Sequence, residues 1–376
     1  MPRIAFVIPT LDQSGAERQL TLLAEGLVQA GYDVHVLALV RGGYFEKQLR
    51  SAGATVHILR KSFRFDPLIW MRLRRCLRQI QPDVVQSFLF SANTLVRLPG
   101  VTPAGCRIVV SERCVDSWKS RWQLFLDRRL AGRADAMTAN SESVRSFYVE
   151  SGVPQEKVHL IRNGIPVAPA ERDQQWIRDS LGLRPELRLI GYVGRLAEQK
   201  RVMDLIWSFQ LLHQLLDNVH LVIVGDGPQR QYLEQFSRNM GCDDKITFTG
   251  HRDDAYRLMQ GLDVFCLASS FEGMSNSLME AMSYGLPVVA SAIPANLELV
   301  DDGVDGLTFE VTRAADLTKC IRRVLEDTGL AEQLGNAAAA RMRNSYGVDR
   351  LVREHVALYE RLTADRLPPV PAPGKD

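Results

Sequence analysis

The chain has 376 residues, 46% of them hydrophobic and 24% charged, an ordinary water-compatible profile in a chain longer than one core usually supports, so two domains of roughly 150 to 200 residues are expected. From the residue pattern neither a leader-like N-terminal stretch nor an apolar run able to cross a bilayer is expected. The six cysteines have neither metal-ligand nor disulfide spacing, so the expectation is a cytosolic protein with reduced thiols. Net charge is only +2, yet residues 1–165 hold 23 Lys+Arg against 14 Asp+Glu, a balance of +9 that leaves −7 for the rest, so the first half can attract an anionic partner.

In chain order, short apolar runs at 4–9, 34–40, 55–59, 84–88, 107–111 and 136–139 read as strands. Helical patterns at 16–30, 45–52, 67–80 and 121–131 fall between most of them, the rhythm of a parallel sheet with helices on both faces. The densest basic stretch, 61–79, sets Arg64, Arg72, Arg74, Arg75 and Arg78 among Phe63, Phe65, Trp70 and Leu73. Ile69, Leu73, Cys76, Leu77 and Ile80 recur there at helical spacing, which predicts a surface helix packed on a sheet. Its outward arginines, with the second basic-aromatic stretch Trp118-Lys119-Ser120-Arg121-Trp122, raise peripheral contact with an anionic membrane.

After the turn dipeptide Asn163-Gly164 and a mixed polar segment to about residue 188, the alternation restarts. Strands are predicted at 189–193, 220–224, 246–248, 264–268, 287–290 and 307–309. Helices are predicted at 203–216, 229–240, 253–260, 277–284 and 315–326. The expected architecture is α/β with two doubly wound, Rossmann-like domains facing a cleft. The first domain covers 1–165 and is rejoined by a C-terminal helix at 348–364, the second covers 166–346, and a proline-rich tail at 365–376 is expected to be disordered.

Five clusters sit where strands give way to helices. Gly15, in Ser14-Gly15-Ala16-Glu17-Arg18, allows close approach to the backbone, although Ser14 and Glu17 also fit a capping box. Gly194-Arg195-Leu196-Ala197-Glu198-Gln199-Lys200 offers two cations that can converge on a diphosphate, or two solvated loop charges. Gly225-Asp226-Gly227-Pro228 and Gly250-His251-Arg252-Asp253 are tight turns at strand ends, either plain connections or parts of a ligand rim. The most informative cluster is Phe271 to Glu280, where Glu272 and Glu280 bracket Gly273, Met274, Ser275 and Asn276 on a strand-to-helix crossing. A helix start there suits an anion, and the two carboxylates suit hydroxyl groups such as those of a sugar and a ribose. The plainer reading makes Ser277 to Glu280 a capping box and Glu272 a loop carboxylate.

Taken in order, these motifs resemble the retaining glycosyltransferases of the GT-B fold, specifically glycosyltransferase family 4. The resemblance rests on Ser14 to Arg18, Val193 to Leu196 with Lys200, Val224 to Pro228, and Glu272 to Glu280 continued through Ala290. It implies that Arg195 and Lys200 hold the diphosphate of a nucleoside-diphosphate sugar, that Glu280 accepts the ribose hydroxyls, and that Glu272 faces the transferred sugar. It further implies backbone amides from Gly273, Met274, Ser275 and Asn276, closure of the first domain on the diphosphate at Gly15, and a base bordered by His251 and Arg252; Gly194 and Asp226 complete the donor set. Many family members carry a histidine where this chain reads Ile108 to Arg113. Here Glu112 or Arg113 takes that neighbourhood as a possible sugar or acceptor contact.

The expected activity is retaining, metal-independent transfer of a sugar to a hydroxyl of a glycan or lipid-linked acceptor. No cofactor, metal site or nucleic-acid partner is expected, and the location is cytoplasmic, with possible seating on the inner face of the membrane. Two other readings remain open at this point: a GT-B enzyme of other chemistry, such as a nucleotide-sugar epimerase, and a silent nucleotide-sugar binding protein.

Overall fold

The structure, a computed structural model, describes residues 1–62, 66, 68–115, 120–168 and 172–364. Phe63, Arg64, Phe65, Trp118, Lys119 and the segment 365–376 therefore lie outside the described residues. The chain divides into two compact units, Met1–Gly164 with Val348–Asp376, and Ile165–Gly347.

In the first unit, β1 (Arg3–Ile8), β2 (Asp33–Ala38), β3 (Thr55–Ile58), β4 (Val84–Phe88), β5 (Arg107–Glu112), β6 (Ala136–Ala139) and β7 (Val158–Leu160) form one parallel sheet in the order β3-β2-β1-β4-β5-β6-β7. Its strands are nearly continuous apolar runs because helices cover both faces. Alternate residues of β1 show the division. Ile4, Phe6 and Ile8 pack with Leu20, Leu23 and Leu27 of the helix Gly15–Gln29 and with Leu351 and Leu358 of the helix Val348–Thr363. Ala5 and Val7 face the other core, with Ile69, Leu73 and Leu77 of the helix Leu68–Ile80. The predicted spacing of that basic helix thus marks its buried side, with Cys76 half-buried beside it.

In the second unit, β8 (Arg188–Val193), β9 (Val219–Val224), β10 (Ile246–Gly250), β11 (Val264–Leu267), β12 (Val288–Ser291) and β13 (Leu307–Phe309) form a second parallel sheet, in the order β10-β9-β8-β11-β12-β13. The chain leaves β8 outward through β9 and β10, then returns to its other side at β11. The crevice beyond the carboxyl ends of β8 and β11 is therefore the topological switch point, the place where open α/β sheets bind ligands.

Several elements escape the sequence pattern. The segment read as a polar linker contains the helix Gln174–Leu181, capped by the Asp173 side chain, which accepts from Trp176 N, and closed by Gly182 in the left-handed conformation at φ 64°. Helices Phe90–Val96, Glu142–Glu150 and Thr328–Ser345, and the strand β7, were also not predicted. The helix predicted to run over 203–216 ends at His213 and begins at Val202, directly after Arg201 at φ 49°.

Candidate functional site

Two loops meet at the switch point of the second sheet. The first leaves β8 through Gly194, Arg195 and Leu196 into a short 3-10 turn, Glu198–Lys200. The second leaves β11 through Ser269 and Ser270 to Glu272 and the helix Asn276–Ser283. Ser270 joins them, donating from its backbone N to Gln199 O at 2.8 Å and from its hydroxyl to the same carbonyl at 3.2 Å.

Across this seam the Lys200 ammonium lies 2.5 Å from Glu272 Oε1, with both side chains largely removed from water. The same oxygen accepts a hydrogen bond from the Ser269 hydroxyl at 2.7 Å. Ser269 is itself held from below: the Ser291 hydroxyl donates to its carbonyl at 2.6 Å, and Asn296 Nδ2 donates to the Ser291 carbonyl at 2.9 Å. Glu272 is thus a fixed carboxylate in a chain of buried polar groups that runs back into the sheet. The Tyr192 hydroxyl donates to Arg195 O at 2.9 Å. Burial, then the charge of Glu272, push that phenol well above its ordinary range, so Tyr192 serves as a neutral donor. The Arg195 side chain stands exposed at the mouth of the β8 loop. Ser269, Tyr192 and Ser291 were not singled out from the sequence. Serines in a strand-end run carry no distinctive spacing, and only the pairing of β11 with β12 makes Ser291 a neighbour of Ser269.

The helix carrying Glu280 starts two residues earlier than a capping box at Ser277 would require. Ser275 is the N-cap, its hydroxyl accepting from Leu278 N at 3.4 Å. Glu280 therefore lies in the second turn, beyond reach of the first amides, and the capping-box reading of Ser277 to Glu280 is wrong. Burying Glu280 there is not something helix capping asks for. Gly273, Met274 and Ser275 are buried and Asn276 half-buried, a backbone segment packed against the carboxyl edge of the sheet.

The neighbouring loops are packed backbone to backbone. Gly225, at φ 133°, leaves no room for a side chain: a Cβ there would lie 2.0 Å from Gly194 O, and one on Gly227 would lie 2.3 Å from Leu196 O. Leu196 N donates to Asp226 O at 2.9 Å, and Gly225 N to Gly250 O at 2.9 Å. These glycines let three strand ends close against each other. The Asp226 carboxylate accepts from Gly227 N at 2.7 Å and from Arg230 at 3.1 Å. Those two donors hold it below the usual carboxylate range. His251 is exposed with Asp253 at 3.4 Å. Arg252 is engaged by Asp254 at 2.7 Å and lies over the Trp176 ring at 5.9 Å. Asp226, His251 and Arg252 thus share the sheet edge with the Lys200–Glu272 pair but belong to separate charge clusters.

In the first unit, Gly15 opens its helix after the loop that follows β1, at that sheet's own switch point between β1 and β4. The expected capping box is absent in its usual form. The Ser14 hydroxyl donates to the Glu17 carboxylate instead, and Thr10 adds a second donor at 3.3 Å. Burial raises the Glu17 pKa, and a buried carboxylate needs these donors more than the helix end does. Glu112 ends β5, buried, accepting from Asn93 Nδ2 at 2.9 Å. Arg113 donates to Asn163 Oδ1 and lies over Phe88, and burial lowers its pKa to about 10. Among the described residues no cluster of three or more His, Cys, Asp or Glu could hold a metal ion, and no helix is long and apolar enough to cross a membrane.

Two doubly wound parallel-sheet units in one chain define the GT-B class of fold. The structure of Anabaena HepE in complex with UDP and glucose has that fold, with a TM-score of 0.85 at 22% identity over 96% of this chain and all of the other. The family model for Glycosyltransferase Family 4 matches residues 13–169, and that for Glycosyl transferases group 1 matches residues 173–341. The chain belongs to this family and is a glycosyltransferase. It is 28% identical over 359 residues, 92% of this chain and 94% of the relative, to the GalNAc-alpha-(1->4)-GalNAc-alpha-(1->3)-diNAcBac-PP-undecaprenol alpha-1,4-N-acetyl-D-galactosaminyltransferase of Campylobacter jejuni. It is 25% identical over 357 residues, 94% and 97% of the two chains, to the lipopolysaccharide core biosynthesis glycosyltransferase LpsD of Rhizobium meliloti.

Proposed function

We propose that this glycosyltransferase moves a sugar from a nucleoside diphosphate to a hydroxyl of a glycan or lipid-linked acceptor, with retention of configuration and without a divalent metal. The observation that carries the reading is the Lys200–Glu272 pair, fixed by Ser269 at the switch point of the second sheet. Breaking the bond between sugar and diphosphate builds positive charge on the ring and negative charge on the leaving group. An ammonium and a guanidinium set beside the diphosphate offset the second charge; a carboxylate held rigidly at the ring suits the first and accepts hydroxyl hydrogen bonds.

In this reading Arg195, exposed and anchored through its own carbonyl, closes on the diphosphate from solvent, and Lys200 turns from Glu272 toward it when donor arrives. The positive end of the helix Asn276–Ser283 faces the same phosphates, with amides from Gly273 through Asn276. Glu280, buried in the second turn, takes the ribose hydroxyls; Gly194 and Asp226 shape the loop beneath, and His251 and Arg252 border the base. Two cations do the charge work a divalent ion does elsewhere. Gly15, Glu112 and Arg113 are the first unit's contribution to donor and acceptor. UDP in the HepE complex and the undecaprenol-linked glycan in the name of the Campylobacter relative support a uridine donor and a lipid-linked acceptor. They also support work at the cytoplasmic face of a membrane, in polysaccharide or glycoconjugate assembly.

The test is donor turnover. With chelator present, the chain is incubated with a panel of nucleotide sugars, and free nucleoside diphosphate and the anomeric configuration of transferred sugar are followed. Release from one donor, with the anomer retained, is expected; binding without release, or an inverted product, refutes the reading.

A further inference from the structure

The first unit presents one sheet face to solvent through helices that carry an unusual combination of side chains. The helices Leu68–Ile80 and Arg121–Ala131 both pack on the core that includes Ala5, Val7, Val85 and Met137, so they cover the same face. Leu68–Ile80 contains four arginines and no acid. Arg121–Ala131 contains three arginines and a single acid, Asp127. That acid does not reach the surface: it is buried against the fully buried Arg97 at 2.6 Å. The pair pins the second helix inward and leaves its outer side without negative charge.

What that outer side shows is large and apolar. Trp122 is 59% exposed and Phe125 63% exposed, one turn apart. Trp122 is braced edge-on by Phe90 at 6.1 Å, and Arg129 lies over Phe125 at 5.9 Å. Leu68 and Met71 are exposed on the other helix, and Arg75 and Arg78 there, with Arg128, Arg129 and Arg133 in or just after the aromatic helix, are exposed as well. Exposed aromatic and apolar side chains on helices that carry exposed arginines and no exposed acid match an anionic lipid interface, where apolar side chains enter the acyl boundary and cations meet phosphate head groups. A second copy of this chain would set arginine against arginine across a two-fold axis, so self-association is disfavoured.

We infer that this face seats the enzyme on an anionic bilayer, with Trp122 and Phe125 as the inserting residues and the exposed arginines of these helices as head-group contacts. This deepens the membrane part of the reading above and rests on it for its purpose. Trp122 lies in the first turn of its helix against Phe90, which opens the helix directly after β4, so seating here brings lipid head groups to the strand-end edge of the first sheet, where a lipid-linked acceptor must be presented.

The experiment is co-sedimentation of the full chain with phosphatidylcholine vesicles, with and without phosphatidylglycerol, at low and high salt. Binding is expected only with phosphatidylglycerol, falling about tenfold or more at high salt. Trp122→Ser with Phe125→Ser is expected to cut partitioning by about tenfold or more, while Trp122→Phe retains most of it; circular dichroism verifies that each variant is folded. Glu272→Gln is expected to bind vesicles as the unsubstituted chain does, which separates this inference from the catalytic one. Vesicle binding untouched by the double substitution, equal binding to both vesicle types, no binding at all, or a dimer in light scattering that the Trp122 substitution dissolves would each overturn it.

Discussion

Removing either partner of the Lys200–Glu272 pair should have different consequences for stability and turnover, and the difference follows from the geometry. The charges are 2.5 Å apart, with Glu272 8% exposed and Lys200 17% exposed. Stripping one partner from a buried pair typically costs about 3–5 kcal/mol, most of it from the charge left behind. After Lys200→Ala, Glu272 keeps the Ser269 hydroxyl as a donor, so a cost of about 2 kcal/mol is expected. A loss of that size lowers the unfolding temperature of a unit this large by roughly 4–8 °C. Glu272→Gln retains an oxygen for Ser269 and leaves only the more exposed Lys200 unpaired, so its stability cost should be about half as large. Turnover should fall about 10²-fold or more in each, the usual cost of one lost transition-state contact. Because the two residues form one interaction in the free chain, the double variant should lose less stability than the sum of the single losses, with a coupling of about 1–3 kcal/mol. The assay is nucleoside diphosphate release alongside thermal unfolding. Stability losses that simply add in the double variant, or near-normal turnover in Glu272→Gln, would refute the reasoning.

Ser269→Ala removes a hydrogen bond to a buried carboxylate, and a stability loss of about 1.5–3 kcal/mol is expected in urea titration. Gly225→Ala places a methyl 2.0 Å from Gly194 O in a backbone conformation at φ 133°. Loss of folded second unit, or of donor binding if folded, should be seen by circular dichroism and calorimetry. Burial holds His355 down to about 4 from an ordinary 6.5. As pH falls below 6.5 the unfolded chain takes up this proton first, so stability declines and levels off below about pH 4, by roughly 3 kcal/mol in all. Urea midpoints measured from pH 7 to 4 should therefore fall less steeply in His355→Leu. Glu17, raised by burial, titrates in the opposite sense, and Glu17→Gln should steepen the decline.

The alternation of strand and helix was legible because both sheets are buried on two faces, which turns their strands into plain apolar runs. The boundaries that moved did so for local reasons. Asp173 and Gly182 delimit a helix inside a polar stretch whose hydrophobic content is low, and cap signals alone did not outweigh composition. The loops at the second switch point were legible as motifs, since glycines, cations and acids at strand ends are unusual together. Their partnerships were not legible. Nothing in the spacing says that Lys200 meets Glu272 across 72 residues, that Ser269 and Ser291 stack behind them, or that Arg252 is occupied by Asp254. The capping-box reading at Ser277 failed because Ser275, two residues earlier, offers an equally good cap and the backbone took it.

The central claim is that the second unit grips a diphosphate with Arg195 and Lys200, and titration calorimetry with nucleotide sugars in the presence of chelator tests it most directly. At least one nucleoside-diphosphate sugar should bind, and Arg195→Ala and Lys200→Ala should each weaken it by about tenfold or more. Absence of binding by every donor, or affinity unchanged in both variants, would contradict the account.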